Sequence, residues 1–123
     1  VIVGEESCVG ERGTRWFTDE EGETVEELMT NILTRYFNVD CAIFTPNPSR
    51  LEHVQNMVKK YSSHGVIHYN LQFCQPYQVE SGIVETRLEN GDIPFLRIDT
   101  DYSQEDTGQL KTRIEAFIER INV

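Results

Sequence analysis

Apolar positions in this chain recur at two spacings, one short and dense, the other helical. From Gly65 to Tyr77 the sequence reads GVIHYNLQFCQPY. Val66, Ile67, Tyr69, Leu71 and Phe73 stand densely enough to predict a strand buried on both faces, as in a parallel sheet. Gly65 separates that strand from the helix before it, and Pro76 stands where a first helical turn would begin. Cys74 therefore falls at the carboxyl end of a central strand, the edge at which open α/β sheets bind ligands.

The other elements are placed around this one. Val1–Glu5 (VIVGE) predicts a short first strand, followed by a long segment, Glu6–Glu23, with little apolar periodicity. Long connections of that kind are usually functional or mobile. Its acidic run, Asp19, Glu20, Glu21 and Glu23, reads as a solvated surface. Thr24 and Glu27 form a capping-box pair, and Val25, Leu28, Met29, Ile32, Leu33 and Tyr36 give the helix they start one apolar stripe, ending near Asn38. Cys41–Phe44 predicts a second strand or extended segment, closed by Thr45-Pro46-Asn47-Pro48.

With Asn47 as N-cap and Pro48 in the first helical position, a second helix buries Leu51, Val54, Met57, Val58 and Tyr61 and stops at Gly65. After the central strand, a helix over Pro76–Glu89 carries Val79, Ile83, Val84 and Leu88 and ends at Asn90-Gly91. Ile93–Ile98 predicts another strand, with Pro94 where a lost donor matters least. A polar link, Asp99–Gly108, with a weak capping signal at Ser103 and Asp106, leads to a last helix packed through Leu110, Ile114, Phe117, Ile118 and Ile121.

Strands alternating with helices in this order predict an α/β fold. It is an open parallel four-stranded sheet flanked by helices on both faces, a Rossmann-like or flavodoxin-like three-layer sandwich. The 123 residues suit a single α/β domain spanning 1–123. Because the chain opens on Val1-Ile2-Val3 without a Met, it is expected to be a piece of a longer protein. A net charge of −10 argues against nucleic acid and against anionic membrane surfaces. No apolar run approaches a membrane span, and the opening residues show no signal-peptide pattern. Three cysteines make an odd number for a disulfide framework, so a reducing, cytoplasmic setting is expected.

Cys8, Cys41 and Cys74 are the principal candidates for chemistry. Core packing is the plain account of any one of them, since free cysteine is often buried. Their positions allow another. Cys8 and Cys74 fall just past predicted strand ends and Cys41 lies at the edge of a predicted strand, places that a parallel sheet brings together. Three converging thiolates would suit a metal centre with one coordination position left open, although no C-x-x-C pair is present. His68 reads as a core or rim histidine, and His53 and His64 as solvated. Asp99, Asp101, Tyr102, Ser103 and Gln104 follow a strand's carboxyl end and either border the site or serve turn chemistry. Arg12, Arg15 and Trp16 are placed to close over a ligand or to form a surface flap, and Glu6, beside Cys8, is a candidate acid–base group. No catalytic residue is singled out, and a phosphoacceptor domain is disfavoured because no acidic pair with a Lys falls at the strand ends.

Four stretches, EESCVGERGTRWF, VDCAIFTPNPSR, GVIHYNLQFCQPYQVES and IPFLRIDTDYSQEDTGQLKTRIEAF, together resemble the 2-hydroxyacyl-CoA dehydratase D-component family. That family includes benzoyl-CoA reductase subunits and double-cubane cluster proteins. The resemblance covers essentially the whole chain, in the right order, and implies the C-terminal cluster-binding domain of a longer subunit. It implies that Cys8, Cys41 and Cys74 ligate a 4Fe-4S cluster, or part of a double-cubane cluster. An ATP-dependent activator protein would feed that cluster single electrons, and its non-cysteine iron position would accept a thioester oxygen or water. The parent would be an anaerobic lyase performing radical dehydration of an acyl-CoA, paired with a like or homologous subunit as a dimer. One departure is Gln75, where many dehydratases have His after the third cysteine. The ESCVGERGTRWF loop and the FCQPY turn look closer to the double-cubane or uncharacterised branch, which would make the parent an ATP-dependent double-cubane reductase of small substrates instead. A third expectation, from another class, is a non-catalytic α/β interaction domain with buried cysteines.

Overall fold

The helices that begin at Val25, Pro48 and Gln75 start where a local signal allows it, but the sheet is smaller than the sequence predicts. The computed structural model describes residues 1–44 and 46–122. Thr45, within the predicted Thr45–Pro48 turn, lies outside the described residues. Two compact units divide the chain, Val1–Arg50 and Leu51–Val123.

In the first unit a short 3₁₀ turn, Glu11–Gly13, precedes helix α1, Val25–Phe37. The predicted capping box is present at its start: Glu27 N–H donates to Thr24 Oγ1 at 3.2 Å, and Thr24 N–H to Glu27 Oε2 at 3.0 Å. These bonds satisfy amides that the first turn cannot pair internally. The apolar stripe of α1 has formed but is uncovered, since no residue of α1 is buried. Polar contacts tie the preceding segment to it instead. Arg35 donates from Nη2 to the Gly13 carbonyl at 2.7 Å and from Nε to the Trp16 carbonyl at 3.2 Å.

Helix α2, Pro48–Lys60, starts at the predicted proline and carries the boundary between the units. The second unit then runs strand β1 (Val66–Leu71), helix α3 (Gln75–Glu89), strand β2 (Phe95–Thr100) and helix α4 (Thr107–Ile121). The strands pair in parallel, Val66 opposite Phe95 through Leu71 opposite Thr100. Gly65 is required by close approach: a Cβ there would lie 2.7 Å from the Phe117 ring of α4 and 3.1 Å from the Pro94 carbonyl. The apolar core gathers Val84, Leu88 and Phe95, with Leu51, Val54, Val66 and Ile93 against it.

The predicted four-stranded sheet and three-layer sandwich are not formed: among the described residues the sheet has two strands, β1 and β2. Val1–Glu5 takes no regular structure, and Val1 and Ile2 are exposed. An apolar run becomes a strand only when a neighbour completes its ladder. Cys41–Phe44 is a turn, in which the Phe44 amide donates to the Cys41 carbonyl at 3.0 Å and the Cys41 amide to the Val39 carbonyl at 2.8 Å. Backbone groups paired so locally are unavailable to a sheet.

The central strand also departs from expectation. Ile67 and Tyr69 are 44% and 48% exposed, whereas His68 and Asn70 are 6% and 0%. Alternation assigns each pair to its own face, and the face toward α3 buries the polar pair. Phe95 and Ile98, three apart on β2, also face opposite ways, and both are buried. Both faces of β2 are therefore covered, with α3 and α4 each packing on that strand, while Ile67 and Tyr69 leave the second face of β1 open. Helix α3 is likewise rotated from its predicted stripe. It buries Glu80, Ser81, Val84 and Leu88, and leaves Val79 and Ile83 exposed.

Candidate functional site

The segment around Cys8 is shaped by two carboxylates. Glu5 Oε2 accepts from Ser7 Oγ and Glu5 Oε1 from the Glu11 amide, each at 2.7 Å, so the side chain braces the turn that contains Cys8. These donors, Ser7 first and Glu11 second, hold the Glu5 carboxyl below its ordinary value. Glu6 reaches inward. Its Oε1 pairs with Arg12 Nε and its Oε2 accepts from Arg12 Nη2 at 2.7 Å. Arg50 Nε approaches the same Oε2 to 3.3 Å. The Arg12 side chain is 1% exposed, and Nη1, the other terminal nitrogen of its guanidinium, donates to Cys8 Sγ at 3.4 Å. Cys8 itself is exposed.

Cys41 follows a similar pair. Asp40 accepts from Arg15 Nη2 through Oδ2 and from Ser49 Oγ at 3.0 Å through Oδ1. The next residue, Cys41, has its carbonyl fixed by Asn47 Nδ2 at 3.0 Å. Arg15 Nε and Nη1 are buried and without a hydrogen-bond partner among the described residues.

Cys74 belongs to the second unit and is the N-cap residue of α3. It stands where the sequence places it, at the strand's carboxyl end. The turn is made by Phe73, whose φ of 68° is left-handed. The Cys74 amide donates to the Leu71 carbonyl at 3.1 Å, and the Cys74 carbonyl accepts from the Gln78 amide at 3.1 Å. Its thiol makes no capping bond, so the sulfur is not committed to the helix end.

The other candidates sort themselves by their contacts. His68 packs between the rings of Tyr77 and Phe95, at centroid distances of 5.4 and 5.8 Å, as a core histidine. His64 is exposed and follows α2, and His53 is half-buried on it. Asp99 accepts from Asn70 Nδ2 at 3.0 Å and from Arg97 Nε at 2.9 Å. Burial pushes its carboxyl up, but the donors from Arg97 and Asn70 outweigh that and hold it low. Asp101 accepts from the Ser103 amide at 2.8 Å, which is turn chemistry. No side-chain cap forms at Asp106. Arg12 and Arg15 are structural cations of the first unit, and Glu6 is engaged by arginine. Sequence reasoning missed Asp40 and Arg50, because nothing near them in the chain marks partners so distant.

The donor set is three free thiols, one exposed and two partly exposed, and none belongs to the buried core. That removes core packing as their common explanation and leaves the sulfurs chemically suited to iron. Among the described residues no group of three or more His, Cys, Asp or Glu side chains is arranged to hold a metal ion.

An α/β chain with a parallel β–α–β unit and three free thiols beside turns is the class so defined. Residues 1–121 match the model of a family described as 2-hydroxyglutaryl-CoA dehydratase, D-component, and the chain belongs to that family. Among its relatives is YjiM of Escherichia coli (strain K12), a provisionally named dehydratase subunit, 36% identical over 98% of this chain and 30% of its own length. The (R)-2-hydroxyglutaryl-CoA dehydratase subunit beta of Acidaminococcus fermentans is 37% identical over 59% of this chain and 19% of its own. The (R)-phenyllactyl-CoA dehydratase beta subunit of Clostridium sporogenes is 26% identical over 98% and 31%. The chain spans about a third of the relatives that it matches along nearly all of its length. No described helix is long and apolar enough to cross a membrane.

Proposed function

We propose that this chain is the cluster-binding part of a 2-hydroxyacyl-CoA dehydratase-like subunit, with Cys8, Cys41 and Cys74 as ligands of a 4Fe-4S cluster. The observation that carries the reading is that every cysteine in a chain of this family is a free thiol with solvent access. Bound there, such a cluster would supply low-potential one-electron chemistry toward a 2-hydroxyacyl thioester. The chain's own residues do the holding. Ligating sulfur must be deprotonated, and each cysteine stands beside a group that favours negative charge or fixes the backbone. Arg12 touches Cys8, Asn47 anchors the Cys41 carbonyl, and the amino end of α3 lies at Cys74. Three thiolates leave one iron position for substrate oxygen or water, and the partners of the full assembly would be a homologous subunit and an ATP-dependent activator.

Anaerobic incubation of the chain with ferrous iron and sulfide tests this. The expected product is brown, with sulfur-to-iron charge-transfer absorption and iron and sulfide in equal amounts. Exchanging all three cysteines for Ser should abolish the colour. Retention of the same spectrum by the triple variant, or no iron uptake by the native chain, removes the reading.

A further inference from the structure

Cys8 is the thiol that carries a charged donor, and that donor is held unusually firmly. Arg12 Nε and Nη2 are both engaged by Glu6, which leaves Nη1 directed at Cys8 Sγ, 3.4 Å away. The side chain is 1% exposed, so it cannot swing into solvent without leaving its carboxylate. Glu5 braces the turn between Ser7 and Glu11, which keeps sulfur and guanidinium in register. Cys8 itself is exposed. Its sulfur thus combines a fixed cationic donor with access from solvent.

We propose that Arg12 is a positioning residue that donates its Nη1 hydrogen to Cys8 Sγ while that sulfur ligates iron, and so raises the reduction potential of the cluster. The inference rests on the cluster reading above. Hydrogen bonds to cluster sulfur are among the protein's means of setting the potential. A cation beside the ligand stabilises the reduced cluster, which carries one more negative charge, over the oxidised one. Arginine suits the task because it stays protonated and its planar fork can bind a carboxylate on one edge while donating from the other. A lysine keeps the charge but has no such fork.

The test is an anaerobic redox titration with titanium(III) citrate, followed by electron paramagnetic resonance, on the reconstituted chain and its Arg12→Gln and Arg12→Lys variants. The expected result is equal iron content with a potential shifted negative in Arg12→Gln and partly restored in Arg12→Lys. Because Arg12 is buried, a variant can fail to fold, which far-ultraviolet circular dichroism would report. Native chain labelled with ¹⁵N-arginine then decides, since pulsed resonance of the reduced cluster should show a guanidinium nitrogen coupling. A native cluster with no such coupling, or folded variants with the native potential, overturns the role of Arg12 alone. A native chain that takes up no iron overturns the cluster reading and this inference with it.

Discussion

Glu6→Gln tests the polar framework of the first unit directly. One carboxylate there serves two arginines: Arg12 grips both oxygens and Arg50 lies 3.3 Å from Oε2. The side chains of Arg12, Arg50 and Glu6 are 1%, 3% and 9% exposed, so solvent cannot take over when the charge is removed. Glutamine has nearly the same shape but presents one amide N–H₂ toward a guanidinium and carries no charge. Removing one member of a buried ion pair costs about 3–5 kcal/mol, because the remaining charge stays desolvated. Both arginines have further interactions, which places the expected loss near the lower figure. Trp16, the single tryptophan, lies in the same unit with Arg15 stacked 5.6 Å from its ring. Its fluorescence therefore reports unfolding of this segment. With a urea slope of about 1–3 kcal/mol per molar, a loss near 3 kcal/mol lowers the midpoint by about 1–3 M. Glu20→Gln, an exposed acid in the same unit, is the control and should leave the midpoint unchanged. A midpoint for Glu6→Gln equal to that of the control would refute the buried network as a stabilising element.

Three further outcomes are expected. Phe73 holds a left-handed φ of 68° and is 88% exposed. Such a backbone costs a non-glycine residue about 1–2 kcal/mol, and glycine loses about 0.5–1 kcal/mol in chain entropy. Phe73→Gly should therefore leave thermal stability equal or slightly raised, and a clear fall would show that the ring has a partner. Leu88→Ala, in the core with Val84 and Phe95, should cost about 2–5 kcal/mol in chemical unfolding followed by circular dichroism. Val79→Ala on the exposed side of the same helix should cost less than about 0.5 kcal/mol, and equal losses would mean that α3 is rotated from its described face. Glu5 is held below its ordinary value of 4.5, first by Ser7 and then by the Glu11 amide. Its bracing is therefore complete above about pH 4.5 and is lost as pH falls through the lower folded value. The Glu11 amide resonance should titrate with a midpoint below 4.5, the ordinary value; a midpoint at or above it contradicts the bracing.

The family and the positions of the helices were legible in the residues alone. The Thr24–Glu27 box, Pro48 and Pro76 mark helix starts, because a helix pairs its backbone within a single segment and its ends need only nearby partners. The β1–α3–β2 unit was legible for a similar reason, as two apolar runs flanking one helical period. Cys74 at the strand's end followed from Gly65 and Pro76. Other matters were decided only in three dimensions. VIVGE and CAIF have strand-like composition, but a strand needs a neighbour's hydrogen bonds, and composition does not say whether one is present. The inward face of β1 could not be read from its apolar count, because His68 and Asn70 are buried while Ile67 and Tyr69 are not. Glu6 and Arg50 meet across most of the first unit, and Arg12, gripped by Glu6, reaches Cys8. Helices are set by bonds between near neighbours in the chain, whereas strand pairing, facing and buried charge depend on residues that folding alone brings together.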